Sequence, residues 1–462
     1  MEQNLTMNRR RGAWFRRGKW DTLWMLIAMA TMACMILIGA ILQKSLKHHN
    51  QTTRSRRLLA GRQDLLRPKH SKSKLNRTYE YSEPRQDMCF FSGYLEREGM
   101  PKLHSVFADP VSKNVVFIGT RFLAQNWTKE KFVSHFETGE SILCDPIVED
   151  YLSFGYLSQF NVVLTCQLPS SLDGKANFSL TLQRISNVKR FQRYAYDDIQ
   201  VCSSGSSKFK RFMLTACTMI RNMDDFVSEW ITFHRYVGVQ HFFLYDNESP
   251  ENSTLRHTVR KEIAEGVVTV IPWTHAAVGQ KTYLEVQIAH ENDCVWRNRY
   301  RSKWMLKIDV DEFVQPMNVS KRFITDYLEG PLFDRVGAVR LQNWFFGRHD
   351  NMSIQSGDSV VERNTWRPSY PTAQNSGRDK NILQPMNIHY FKIHAVKIGG
   401  PAVSLSPHRE LRLVHYRLDN PRIRRFGFPD FDTRDLSMVK MMTEAKKLYG
   451  RERLSNAAHP VG

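Results

Sequence analysis

The run Lys303-Trp304-Met305-Leu306-Lys307-Ile308-Asp309-Val310-Asp311-Glu312-Phe313-Val314 decides the fold. Its first half is apolar enough for a buried strand, and its end carries three acids in four residues. A short apolar run is how a buried parallel strand reads. Acids where that run stops stand at the strand's C-terminal edge, where open α/β sheets receive their ligands. Asp-x-Asp there suits a divalent ion bridging a diphosphate, because Mg²⁺ and Mn²⁺ take one or two carboxylates and fill their shells with phosphate oxygens. The tripeptide alone proves little, since most such matches are solvated turns or helix caps. The strand before it and Phe313 after it favour the metal reading.

Upstream of this run, strands and helices alternate. Phe212 to Met219 reads as an apolar strand. Asp224 is placed to cap a helix through Arg235, with Phe226, Trp230, Phe233 and Val237 on one face. Gly238 stops it. Val239 to Tyr245 is a second strand ending in Asp246-Asn247, and a helix from about Ser253 to Glu265 follows. Val267 to Pro272 is a third strand, and a longer helix from about Thr282 to Tyr300 precedes the acidic run. This alternation predicts an α/β domain with a mostly parallel sheet. Thr218, Arg221 and Asn222, then Asp246 and Asn247, then Asp309 and Asp311 gather at strand ends on one edge. A nucleotide would lie across these loops. The chain has neither G-x-x-x-x-G-K-[ST] nor G-x-G-x-x-G, which disfavours P-loop chemistry and a dinucleotide cofactor. A metal-held diphosphate is the scheme left.

Before this region, Met88 to Cys202 reads as short β segments such as Asn114–Gly119, Phe160–Cys166 and Phe178–Leu182. Turns such as Asp109-Pro110 and Leu172-Asp173-Gly174 separate them. The spacing predicts a small β-sandwich, either a structural spacer or an accessory carbohydrate binder. Cys89, Cys144, Cys166 and Cys202 allow three pairings there. Ser203-Ser204-Gly205-Ser206-Ser207 reads as a hinge.

Leu23 to Leu42 is 20 residues without a charge. That is enough helix to span a hydrocarbon core of about 30 Å, and longer than a cleaved signal's apolar region. It is read as a retained anchor. Arg9, Arg10, Arg11, Arg16, Arg17 and Lys19 precede it and five basic residues follow closely, so charge alone orients it weakly. Sequons at Asn76, Asn126, Asn177, Asn247, Asn252, Asn318 and Asn351, with six cysteines beyond the anchor, favour a lumenal chain. Of the net charge of +20, residues 1–77 carry +14. The basic stem is too polar to bury a core and reads as a linker. The folded remainder is near +6, which argues against nucleic acid as a partner.

Read together, Cys217-Thr218-Met219-Ile220-Arg221-Asn222, Glu229-Trp230, His234, Gly238-Val239-Gln240, Tyr245-Asp246-Asn247-Glu248-Ser249, Lys307-Ile308-Asp309-Val310-Asp311-Glu312-Phe313 and Trp344-Phe345-Phe346-Gly347 resemble glycosyltransferase family 92. Within it the plant galactan β-1,4-galactosyltransferases look most similar, over about residues 210–420. The resemblance implies an α/β fold: a GT-A nucleotide-sugar transferase domain over 210–462. Before it would come a tail (1–22), a transmembrane anchor (23–42), a stem (43–87), a β-sandwich resembling a carbohydrate-binding module (88–202) and a linker (203–209). It implies inverting transfer from UDP-galactose to a β-galactoside such as cell-wall β-1,4-galactan. It also implies Mn²⁺ dependence, a single-pass type II Golgi location with a lumenal catalytic domain, and a homodimer.

By that resemblance Thr218, Arg221, Asn222 and Asp246 hold the uridine end, Asp309 meets ribose or metal, and Asp311 ligates Mn²⁺. A histidine ligand is expected from His394, in family spacing with Lys380 and Pro385, or from His415. Glu362 and Asp350 are the candidate catalytic bases. Trp344, Phe345, Phe346 and Trp366 are candidates for stacking on acceptor sugars, although aromatics at strand ends are usually core. Met223 replaces a residue that is polar in relatives. Three rivals stand beside this reading: another UDP-sugar donor, a non-catalytic glycan-binding membrane protein, and a metal-dependent phosphodiesterase. The last would need more clustered His and Asp ligands.

Overall fold

The computed structural model describes residues 94–122, 131–148, 159–185, 194–203, 212–248, 252–273, 280–348, 359–370, 378–416 and 431–450. The Leu23–Leu42 span, the stem and Asp350 lie outside these. Among the described residues no helix is long and apolar enough to cross a membrane.

The N-terminal part holds β1 (Lys102–Asp109), β2 (Asn114–Phe122), β3 (Lys131–Phe136), β4 (Ser141–Val148), β5 (Gln159–Gln167), β6 (Asn177–Ile185) and β7 (Ala195–Cys202). Where a sandwich is expected, the strands run in the order β1-β2-β5-β4-β3-β6-β7, two sheets joined through β4. The join is a crease in β4. Ser141 to Cys144 pair with β3, whereas Asp145 to Val148 pair with β5. Pro146 sits in the second half, and a sheet that changes direction tolerates proline there. The rolled sheet brings its edges together, with Ala108 bridging Ser203. Inside lie Leu103, Val115, Phe117, Leu164, Leu180 and Val201. The Cys144–Cys166 disulfide joins β4 to β5.

The C-terminal part is built on β8 (Phe212–Ile220), β9 (His241–Asp246), β10 (Val268–Pro272), β11 (Ser302–Lys307), β12 (Glu312–Pro316), β13 (Ala338–Leu341), β14 (Asn343–Phe345), β15 (Trp366–Arg367), β16 (Lys380–Leu383), β17 (Ile388–Lys392), β18 (Ala395–Gly399), β19 (Ala402–Ser404), β20 (Leu411–His415) and β21 (Thr433–Arg434). Its labelled helices are α1 (Asp224–Tyr236), α2 (Gln280–Asn298), α3 (Val360–Arg363) and α4 (Ser437–Tyr449). The main sheet runs β10-β9-β8-β11-β16-β13-β19. Its first four strands are parallel, and β16 is antiparallel to both β11 and β13. The chain steps outward from β8 to β10, then returns to the other side of β8 as β11. The crevice at that reversal of strand order is where ligands enter such sheets.

Two expected helices differ in detail. Met223, not Asp224, is the N-cap of α1, and the Asp224 carboxylate accepts the Thr254 hydroxyl. The helix expected from Ser253 to Glu265 is two short pieces, Leu255–Thr258 and Arg260–Ala264. Gly238 does end α1, with φ of +103° and Phe323 packed where a side chain would stand.

Helix α2 lies between the two sheets. Phe107, Val116, Ile118 and Val163 of the rolled sheet share one core with Val286, Ala289 and Val295 of α2 and with Phe243, Tyr245 and Met305 of the main sheet. Strands β1, β2 and β5 are therefore covered on both faces, since Val115 and Phe117 point into the roll while Val116 and Ile118 point at α2. Each such side chain removed from water contributes roughly 1.5–3 kcal/mol. The Cys217–Cys294 disulfide ties α2 to β8.

Candidate functional site

Strand register assembles the predicted site. Lys307 pairs with Cys217 and Ile220 with Asp246, so Thr218, Asp246 and Asp309 leave the sheet along one edge. Thr218 is fully buried and its hydroxyl has no hydrogen-bond partner. Arg221 pairs with Glu248 at 3.3 Å, and Asn222 is exposed in a left-handed turn with φ of +53°. Asp246 is more committed than the sequence suggests. Its oxygens accept the Ser253 hydroxyl at 2.5 Å and the Glu248 amide at 3.2 Å, closing its own loop. Burial raises its pKa. Asn247 is buried and its amide donates to the Trp273 carbonyl.

The two acids of the central motif have different neighbours. Antiparallel pairing of Lys307 with Asn381 brings Lys380 alongside, and its ammonium reaches the Asp309 carboxylate at 2.7 Å. Burial opposes the negative charge on Asp309, but Lys380 and then Lys307 outweigh it and hold the carboxyl well below the usual range. With its side chain 42% exposed, Asp309 is an anion facing outward. Asp311 is buried. In a separate three-stranded sheet, β12-β20-β14, Glu312 is in register with His415, which sets the imidazole 3.5 Å from Asp311. Burial works against the imidazolium there, yet Asp311 and Glu312 leave its pKa raised.

The first-choice histidine sits differently. His394 donates from Nδ1 to the Asp379 carbonyl at 2.8 Å, which leaves Nε2 as the lone-pair nitrogen. Burial, then the Lys380 charge, lowers its pKa to about 4. Of the two histidines, His415 is the one paired with an acid of the motif. Among the described residues no three His, Cys, Asp or Glu side chains are gathered as a metal cage would need. Asp309, Asp311 and an imidazole still suit in kind a hard ion that completes its shell with ligand oxygens.

Other predicted site residues are placed apart. Glu362 is the third residue of α3 and closes a capping box with Ser359. Its second oxygen pairs with Lys446 at 3.0 Å. Although burial raises it, the Ser359 and Lys446 contacts leave its pKa lowered, and a depressed carboxylate is a weak base. Trp344 and Phe346 are corrected from acceptor-stacking surfaces to core. Both are buried, Trp344 donates to the Pro368 carbonyl, and the Arg412 guanidinium stands over both rings. Phe345 is also buried and packs near His415. Trp366 is half-buried in the short β15–β21 pair.

Sequence reasoning missed the shell behind the acids. Glu312 is fully buried and accepts the Asp309 amide at 2.8 Å. Burial pushes its pKa up to about 7. Asn343 meets His415 Nδ1 at 3.1 Å, and Asp379 holds Arg340 and the Asn343 amide. Beneath Asp309, Lys307 pairs with Glu291 of α2 at 3.5 Å. The one available signal was Glu312 itself, an acid at the start of a fully buried strand.

Comparison with known proteins matches this domain. Residues 210–454 fit the model of glycosyltransferase family 92. A family 92 protein of Oryza sativa subsp. japonica is 28% identical over 250 residues, 54% of this chain and 39% of that protein. One from Ricinus communis is 35% identical over 104 residues, 22% of this chain and 16% of that protein. A Caenorhabditis elegans protein named β-1,4-galactosyltransferase galt-1 is 22% identical over 184 residues, 38% of this chain and 43% of that protein. The matches span less than half of each relative's length. More than half of this chain lies within the matched family region, and the chain belongs to glycosyltransferase family 92.

Proposed function

We propose that the protein is an inverting, Mn²⁺-dependent galactosyltransferase that moves galactose from UDP-galactose to a β-galactoside glycan such as β-1,4-galactan. We place it as a type II protein of the Golgi membrane, anchored by Leu23–Leu42, with the catalytic part in the lumen. The observation that carries the reading is the pair Asp309 and Asp311 beside the strand-order reversal of a parallel sheet, in a family 92 chain. The worm relative's name supports galactose as the sugar.

In this reading Thr218, Arg221 and Asn222 border the uridine end, with Asp246 holding their neighbouring loop closed. Asp309, fixed as an anion by Lys380, offers its exposed oxygen to a ribose hydroxyl or the ion. Asp311, with His415 beside it, is the second anchor. Mn²⁺ bound there would neutralise charge on the leaving diphosphate. Inversion needs a base for the acceptor hydroxyl, positioned at hydrogen-bond distance. Asp350, just past the Trp344–Gly347 segment, is our candidate, because Glu362 is engaged by Ser359 and Lys446.

The test is UDP release from a panel of UDP-sugars with β-1,4-galactan oligosaccharides, with Mn²⁺ or chelator. We expect Mn²⁺-dependent turnover of UDP-galactose that falls about 100-fold or more in Asp311→Ala. Turnover of another donor would overturn the sugar assignment. Folded protein that binds galactan but turns over no donor would overturn the enzyme reading in favour of a glycan-binding protein.

A further inference from the structure

Glu312 is a carboxylate sealed from water at the start of β12, with one oxygen toward the Asp309 amide and the other toward His415. Its Oε2 accepts the backbone amide of Asp309 at 2.8 Å and lies 3.6 Å from the Lys380 ammonium. That same ammonium is 2.7 Å from the Asp309 carboxylate. Its Oε1 has no hydrogen-bond partner and lies 3.5 Å from His415 Nδ1. The other nitrogen of His415 is 3.5 Å from Asp311. The backbone of Glu312 is fixed as well: its amide donates to the Asp309 carbonyl at 3.1 Å, and Trp230 Nε1 donates to its carbonyl at 2.9 Å. Helix α1 thus backs the turn. A buried carboxylate is costly unless its surroundings use it. Here two routes run from it, through Lys380 to Asp309 and through His415 to Asp311.

We propose that Glu312 is the positioning residue of the site, a brace that sets the placement of the Asp309 and Asp311 carboxylates relative to each other. The role rests on the transferase reading above, because the brace matters to function only if those acids hold the donor. Glu312 itself touches neither donor nor acceptor. Groups that orient ion-binding carboxylates act on affinity: their loss typically weakens binding about 10- to 100-fold. Glutamine has the same length and keeps an oxygen for the Asp309 amide, but it lacks the charge that engages Lys380 and His415.

The experiment compares wild type, Glu312→Gln, Lys380→Met and the double variant. The first readout is UDP binding with Mn²⁺ by calorimetry, alongside kcat and KM for the donor. Glu312→Gln is expected to weaken UDP binding and raise KM about 10- to 100-fold, with kcat changed far less. Wild-type affinity in Glu312→Gln, or a loss confined to kcat, would overturn the brace. The second readout is melting temperature. Because the two residues share one buried contact, the double variant should lose less than the two single losses added together. Additive losses would overturn the brace even if UDP does not bind. Absence of UDP binding in wild type with any divalent ion would instead sink the transferase reading alone. If Glu312→Gln does not fold, Lys380→Met cuts the same tie from the other side, and unchanged UDP affinity in that variant counts against the proposal.

Discussion

His234 is fully buried in α1, yet both ring nitrogens are used. Nδ1 donates to the Trp230 carbonyl at 2.8 Å, and Nε2 accepts the Val314 amide at 3.3 Å. Only the neutral ring can do both. Burial lowers its pKa from 6.5 to about 3, with the Trp230 carbonyl opposing. The unfolded chain therefore binds a proton below pH 6.5 that the folded chain refuses until about pH 3. The contribution to stability is complete above pH 6.5 and is lost as pH falls through that window. From pH 7 to pH 5 the wild type should lose about 2 kcal/mol relative to His234→Gln. Denaturant unfolding at both pH values measures this, and parallel losses in the two proteins would contradict it. At this scale the sequence displayed Asp309 and Asp311 because they directly follow one apolar strand with a recognisable end. It did not display their partners. Lys380 stands 71 residues from Asp309, and the pairing of Asp311 with His415 depends on the β12–β20 register. Register between distant strands is not written in local pattern.

Helix α2 is the element whose role departs furthest from its composition. The stretch His290-Glu291-Asn292-Asp293-Cys294-Val295-Trp296-Arg297-Asn298 reads as a solvated helix end, but every one of these residues is buried. Several of its polar groups have partners distant in the chain. Asn292 donates to the Phe391 carbonyl and accepts its amide. Asp293 accepts the Tyr245 hydroxyl at 2.5 Å and pairs with Arg297 at 3.0 Å. Arg297 also donates to Ser105 at 2.7 Å and stacks over Phe107. Arg297→Ala leaves the Asp293 charge buried and unpaired and should cost about 3–5 kcal/mol. Lys175→Ala removes a solvent-screened pair with Glu137 and should cost far less. Chemical denaturation ranks the two, and equal losses would contradict the assignment. The helix itself was legible, with observed ends two residues from those expected. Its burial was not, because partners on β1, β9 and β17 are invisible to helical periodicity. Trp344 and Phe346 failed as surface residues for the same reason, since Arg412 and Tyr416 reach them only through the fold.

In the whole molecule, the serine-rich stretch after Cys202 reads as a hinge between separable parts, but α2 has a core on both sides. One hint was present in the sequence. Asn114–Gly119 and Phe160–Cys166 are continuous apolar runs, which strands covered on two faces require, whereas β6 alternates and is covered on one. The protein should unfold by calorimetry in a single transition through both sheets, and two resolved transitions would contradict the shared core. A chain begun at Ser204 would leave Val295 and Arg297 facing water and should aggregate. The Arg297–Ser105 contact closes over 192 residues of chain. During synthesis the N-terminal sheet is complete before α2 has left the ribosome, and domains fold in that order. In that order the rolled sheet would offer its outer face as the surface on which the C-terminal part packs. Defects in β1 or β2 would thus surface as a misfolded C-terminal part, with no mutation near Asp309.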